Sequence, residues 1–279
     1  MTLRVFAAAT LLLLGACTPS PDASPPSATS PAASPSAGAS SASPGPARTT
    51  GAPPAPAPPD GGCYRLTFAQ LRPASNDSEP VSCRDPHTAQ TIHVGELDAV
   101  EPDAVSTQVS TTCPRKLAAY LGGDRSTRAL SRFKVVWFTP TPEQLDRGAT
   151  WFRCDAIAFA GHEELAPLPA PRRLAGLLDN DRALERYGLC GTAAPGARHF
   201  ARVICSRRHS WQAIATIRID GGARYPGVRK VRVAGDQSCK DTVRRVSDST
   251  LRFRYGWEWP TKDQWERGQH YGFCWAPDS

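Results

Sequence analysis

No apolar run in this 279-residue chain is long enough to cross a bilayer, which takes about 20 residues. No two cysteines stand at the tight Cys-x2–4-Cys spacing that most structural zinc sites use. There is no Gly-x-Ser-x-Gly and no His-Glu-x-x-His, so two common hydrolase signatures are excluded. Lysine is scarce, 5 against 28 arginines. Residues 18 to about 60 carry almost no charge and no large apolar side chain. Such a segment, rich in Pro, Ser, Ala, Thr and Gly, cannot bury enough surface to offset its ordering entropy.

What is present begins with the N-terminus. Met1 to Arg4 is a short basic start, and Val5 to Leu14 is apolar apart from Thr10. This fits a secretory signal. Leu14-Gly15-Ala16-Cys17 resembles a bacterial lipobox. That resemblance implies cleavage after residue 16 and acylation of Cys17, which would hold the chain on the extracytoplasmic face of the cell membrane. Residues 17–61 are then expected to be a lipid-anchored, disordered linker.

The rest of the chain repeats itself. Residues 140–154 read PTPEQLDRGATWFRC and residues 260–274 read PTKDQWERGQHYGFC, aligned without a gap at an offset of 120. A Cys-x3-His also recurs, from Cys83 to His87 and from Cys205 to His209. A period this long indicates two copies of a domain, since solenoid units run about 20–50 residues. The expected boundaries are 62–160 and 187–279, joined by a linker over 161–186. Thr141 with Gln144, and Thr261 with Gln264, have the spacing of a capping box. Gly148 and Gly268 stand where a short helix needs a left-handed terminus.

Each copy also predicts short strands at Tyr64–Phe68 and His199–Cys205. Half-buried strands follow at Thr88–Leu97 and Ser210–Ile219, helices at Ser110–Leu121 and Ser238–Val246, and aromatic-rich strands at Arg132–Phe138 and Leu251–Trp257. A further helix is expected over Asp179–Tyr187. The fold class is α+β: two tandem copies of a disulfide-stapled, mostly antiparallel sheet, each with one longer helix and one short capped helix.

Removing Cys17 from nine cysteines leaves four per copy: Cys63, Cys83, Cys113 and Cys154, then Cys190, Cys205, Cys239 and Cys274. An even count in an exported protein reads as disulfides. Four cysteines allow three pairings. First-with-second and third-with-fourth is favoured because it keeps each bridge between neighbouring elements.

The Cys-His pairs invite a metal reading, but a zinc site needs four ligands and no metal or cofactor is expected. Asp85 is placed to orient His87, although the second copy has Arg207 there. Acidic residues recur in both copies only at Glu143/Asp263 and Asp146/Glu266, inside the capped turn, where they serve the helix dipole. No catalytic residue emerges.

Charge divides the copies. Residues 63–160 hold 11 Lys/Arg and 11 Asp/Glu, whereas residues 181–279 hold 18 and 10, a net of +8. Outside a membrane, anionic lipid headgroups, anionic wall polymers or envelope proteins are the available partners, and nucleic acid is not expected. Arg252, Arg254 and Arg267, beside Trp259 and Trp265, form the candidate contact. Strand alternation would put Arg252 and Arg254 on one face.

One combination of these features is family-like: a Cys near the domain start, Cys-x-x-Pro-His, a mid-domain Cys on a helix, and Pro-x3-Gln-[Leu/Trp]-x-x-Gly ending in Cys. It resembles the septum-formation domain family, well over Gly62–Phe159 and less well over Tyr187–Trp275, where Arg208 replaces the Pro. The resemblance implies an exported or membrane-anchored envelope protein and supplies no catalytic residues. The expectation is therefore a non-enzymatic, lipid-anchored protein that binds or scaffolds in the envelope, with an envelope hydrolase as the alternative.

Overall fold

The computed structural model describes residues 53–180 and 182–278, so the signal segment, Cys17 and most of the linker lie outside the described residues. A compact unit runs from Thr50 to Ser279. No helix among the described residues is long and apolar enough to cross a membrane.

The first half starts with β1 (Cys63–Tyr64) and continues through β2 (Ala89–Glu96) into α1 (Pro102–Leu121), α2 (Arg125–Leu130) and β3 (Phe133–Phe138). The short α3 (Pro142–Asp146) leads into the long β4 (Trp151–Gly161) and its hairpin partner β5 (Glu164–Leu165). A connecting segment holds α4 (Pro171–Leu174) and α5 (Ala183–Tyr187). The second half runs β6 (Leu189–Gly191), β7 (Arg202–Ile204), β8 (Trp211–Arg218), α6 (Val228–Ala234), α7 (Asp236–Val246), β9 (Gly256–Glu258), α8 (Lys262–Glu266) and β10 (Tyr271–Pro277). Each half forms one antiparallel sheet, ordered β1-β2-β4-β3 with β5 beside β4, and β7-β6-β8-β10-β9. The molecule is α+β, with four disulfides.

The duplication is visible in the hydrogen bonding. Both capping boxes form: the Thr141 hydroxyl accepts from the Gln144 amide and the Thr261 hydroxyl from the Gln264 amide, while each Gln side chain accepts from its Thr backbone. Gly148 and Gly268 adopt φ of 83° and 88°, which β-carbon-bearing residues resist. A β-bulge also recurs. Thr91 and His93 pair with Asp155 and Cys154, leaving Ile92 as the extra residue. Ala213 and Ala215 pair with Trp275 and Cys274, leaving Ile214 extra. The disulfides join Cys63–Cys83, Cys113–Cys154, Cys190–Cys205 and Cys239–Cys274. In each half the longer-loop bridge ties the main helix, α1 or α7, to the central strand, β4 or β10.

Some elements differ from expectation. α1 begins at Pro102, not Ser110, because Pro suits a first helical position and Asp103 favours the first turn. Ser110 sits mid-helix with its hydroxyl turned back to the Thr107 carbonyl, 3.3 Å away. Likewise α7 begins at Asp236 and Ser238 is internal. The strand expected over Leu251–Trp257 is only Gly256–Glu258. Before it the chain turns: the Arg252 amide donates to Ser249 Oγ, and Tyr255 reaches back to the Asp236 carboxylate on α7. The strands expected over Tyr64–Phe68 and His199–Cys205 shrink to Cys63–Tyr64 and Arg202–Ile204. The helix expected over Asp179–Tyr187 occupies Ala183–Tyr187.

The halves cover one another. Ala156, Ala158 and Ala160 alternate along one face of β4, and their small side chains let the connecting segment lie close. That segment supplies Leu174, Leu178, Ala183 and Tyr187, and Ile204 of the second half completes the cluster. Residues 161–186, read from composition as a linker, thus carry core side chains. In return, Ala129 and Leu130 of α2 pack on Trp211, Phe273 and Trp275 of the second sheet. The Arg132 amide donates to the Tyr187 carbonyl at 2.8 Å, and Phe133 stacks near Tyr187 at 4.9 Å. Arg207 clasps Glu164 through two hydrogen bonds.

Candidate functional site

The two Cys-x3-His segments are built alike. Each closes a turn just after a cysteine: the Asp85 amide donates to the Ser82 carbonyl, the Arg207 amide to the Ile204 carbonyl. His87 Nδ1 then meets the Asp85 backbone oxygen at 2.9 Å, and His209 Nδ1 meets the Arg207 backbone oxygen at 2.6 Å. The group that orients the imidazole is a backbone carbonyl, which explains why Asp and Arg can occupy the same place. The carboxylate role expected for Asp85 does not occur in these bonds. The sulfurs of Cys83 and Cys205 are committed to Cys63 and Cys190, so neither is a thiolate ligand. Among the described residues no group of three or more His, Cys, Asp or Glu side chains is arranged to hold a metal ion.

Beyond their turns the histidines part company. His87 is buried, its Nε2 facing no hydrogen-bond partner. His209 Nε2 lies 3.3 Å from the Asp278 carboxylate. Asp278 forms one end of an open groove of about 690 Å³. Gln212 and Ile214 of β8 line it together with Ala276 and Pro277 of β10. The end of α7 and the loop after it form the other wall, with Val246, Ser247, Asp248, Ser249, Arg252, Phe253 and Arg254.

Two of the five expected contact residues therefore meet. Arg252 and Arg254 line the same groove, held there by a loop and not by strand alternation. Arg254 also lies over the Trp211 ring, 5.7 Å from its centroid, while the intervening Phe253 is half-buried, has Arg244 5.4 Å from its ring centroid and lines the groove as well. Neither Arg252 nor Arg254 has a carboxylate within 4.0 Å among the described residues. Their charges are available to a ligand.

The other three residues do not join this face. Trp265 is 0% exposed. Its ring stacks on His270 at 4.2 Å, and its indole N–H donates to the Gly222 carbonyl. It is a core side chain: the larger residue that replaces Leu145 fills space between α8, the Gly221 turn and Tyr225. Trp259 is half-buried with Arg232 over its ring at 5.5 Å. Arg267 is exposed just past α8, near the Tyr271 end of β10, whereas the groove lies at the Pro277 end. Seven strand residues separate those ends, about 20 Å.

A second constellation escaped sequence reading. Arg153 and Asp155 alternate on β4, and both are essentially unexposed, at 1% and 0%. Arg153 Nε lies 3.2 Å from Asp155 Oδ2. The guanidinium is sandwiched between Tyr64, 3.9 Å from the ring centroid, and Phe138, at 4.9 Å, and donates to Asn76 Oδ1. Thr91 donates to Asp155 Oδ1 at 2.8 Å. Burial pushes the Asp155 carboxyl up to about 6, against the opposing pull of Arg153 and Thr91. Desolvating two charges costs several kcal/mol per ion, while a desolvated cation–π contact returns about 2 kcal/mol. The desolvation cost therefore offsets much of what these contacts return. The signal was present as two charges two residues apart inside the apolar strand Trp151–Gly161.

A family model described as septum formation matches residues 36–131 and 109–274. The chain belongs to the septum-formation family. The two matches overlap at 109–131, which includes most of α1 and all of α2. The second match therefore reaches back across the halves, as the packing of α2 on the second sheet does. No curated protein and no solved structure matches the chain.

Proposed function

We propose that this septum-formation family protein is a non-enzymatic, lipid-anchored component of the cell envelope. It acts on the extracytoplasmic face and holds an anionic envelope component through its second half. The observation that carries the reading is the groove in which Arg252 and Arg254 converge, neither within 4.0 Å of a described carboxylate although Asp248 and Asp278 line the same groove. The net +8 of residues 181–279 supports it, since a field of that sign draws acidic surfaces. The lipobox at Leu14–Cys17 and the nearly uncharged segment after it support an anchored tether. A binding role is favoured over hydrolysis by the histidine contacts among the described residues. Those of His87, His209 and His270 are to backbone oxygens and a carboxylate, never to a hydroxyl nucleophile.

Two measurements test this reading. Cys17→Ala in the full chain should abolish lipid labelling and release the protein from membranes or leave it uncleaved; fractionation like wild type with no lipid in either form overturns the anchor. Binding of residues 50–279 to purified wall polymer and to anionic vesicles should weaken steeply with salt. It should also fall in the Arg252→Ala/Arg254→Ala double variant. Binding to neither, or binding indifferent to both arginines, overturns the contact.

A further inference from the structure

The loop that carries the two arginines has an apolar side chain with nothing to pack on. Leu251 is 92% exposed, the most exposed large apolar residue among those described, and Val246 at the end of α7 is 65% exposed. Between them lie only Ser247, Asp248, Ser249 and Thr250. Around them stand Arg245, Arg252 and Arg254, none with a carboxylate within 4.0 Å among the described residues. Two acids, Asp248 of the loop and Asp278 beside His209, line the groove with Arg252 and Arg254, and Arg245 at the end of α7 leaves the arginines one ahead.

We propose that the anionic component met by the second half is the headgroup plane of a lipid bilayer, and that Leu251 enters it. This rests on the preceding reading of Arg252 and Arg254 as an anion contact and names its partner. A leucine held in water beside three unpaired arginines gains from a surface that is anionic at its face and apolar just beneath. A polar wall polymer offers the charge alone. Headgroups are about one arginine length above the acyl boundary, so the arginines stay at the charged plane while Leu251, and behind it Val246, reach lower. The hydroxyl-bearing residues between them suit the hydrogen-bonding interfacial layer.

Residues 50–279 contain all five apolar clusters and all four disulfides, so that piece carries the whole described fold without the N-terminal segment. The experiment is co-sedimentation of this piece with vesicles of phosphatidylglycerol and phosphatidylcholine, beside a purified anionic wall polymer, over a salt series. Wild type should bind the anionic vesicles. Leu251→Asp should weaken that binding about tenfold or more, the low end of what burying a leucine gives. Leu251→Trp should restore binding to at least the wild-type level, since an indole favours the interface. Neutralising Arg252 or Arg254 should cost about fivefold each. At 92% exposure these changes at Leu251 leave the fold intact, which circular dichroism checks. If Leu251→Asp binds vesicles as wild type does while the arginine variants fail, insertion is overturned and the anion contact stands. If wild type binds the polymer and not the vesicles, the lipid partner is overturned and the anion contact again stands. Binding to neither overturns both.

Discussion

Asp155 and Trp275 occupy the same position in the two halves. Each follows the disulfide cysteine of the central strand, and each pairs across the sheet with the residue before a tryptophan, Val136 before Trp137 and Gly256 before Trp257. On the other side each sits at the recurrent bulge, opposite Thr91 and Ala213. Two residues earlier in the strand, Arg153 likewise corresponds to Phe273. One half fills this site with a buried ion pair, the other with two aromatic rings.

Breaking the pair should cost more than replacing it. Arg153→Met leaves Asp155 buried without its cation and should destabilise by about 3–5 kcal/mol, whereas Arg153→Met/Asp155→Leu should cost clearly less. Denaturant unfolding of the single and double variants decides this; a double variant as unstable as the single one would show that the ionic arrangement itself stabilises.

Stability should fall as pH rises through about 6 because of Asp155. Its carboxyl is raised in the folded state above the unfolded value of 3.8, so the folded protein binds the proton more tightly. The stabilisation this group gives is present at low pH and is lost as pH climbs through about 6. Asp155→Asn cannot titrate. Leaving Arg153 buried without its anion lowers the variant's stability at every pH, but the gap to wild type should narrow between pH 4 and pH 7, because only wild type loses stability over that range. A difference that does not change with pH would show an ordinary carboxyl at this position.

The halves should unfold together. Residues 50–279 are expected to give one cooperative transition by circular dichroism and by fluorescence. Residues 50–160 alone would expose the alanine face of β4 along with Phe133 and Leu121, so they should bind a hydrophobic dye and show poor amide dispersion. A well-dispersed spectrum from that fragment would contradict the shared core.

Reductant should open Cys63–Cys83 first. Cys83 is half-buried, while the other seven paired cysteines are buried. Mild reduction of the native protein, followed by alkylation and peptide mapping, should find that pair labelled ahead of the rest. Losing Cys113–Cys154, which closes a separation of 41 residues, should cost about 4 kcal/mol on the chain-entropy account. Labelling of residues 50–279, denatured and unreduced, should find no free thiol.

The parts of the fold legible in sequence are those set by local chemistry. The Thr-x-x-Gln boxes, the glycines at 148 and 268 and the alternating strand at 88–97 each follow from a few neighbouring residues. The recurrent bulge does not stand out, because the phase slip one extra residue makes in an eight-residue strand looks like ordinary irregularity of the alternation. The segment over 161–186 reads as a linker because its prolines and arginines dominate its composition; its burial depends on the alanines of a strand before it. At the candidate site, charge singles out Arg252 and Arg254, which line one groove. Trp265 misled because size says nothing of direction, and here the indole points into the core. Leu251 reads in sequence as one more apolar residue of a strand, and only its solvent exposure sets it apart.

The mutual covering of the halves makes the duplication irreversible in practice. Once α2 of one copy became the lid of the other's sheet, neither could be deleted without leaving an apolar face bare. A chain with a single copy of the same plan would have to close that face with a second molecule. Within this chain the contact is intramolecular, and its geometry does not depend on concentration.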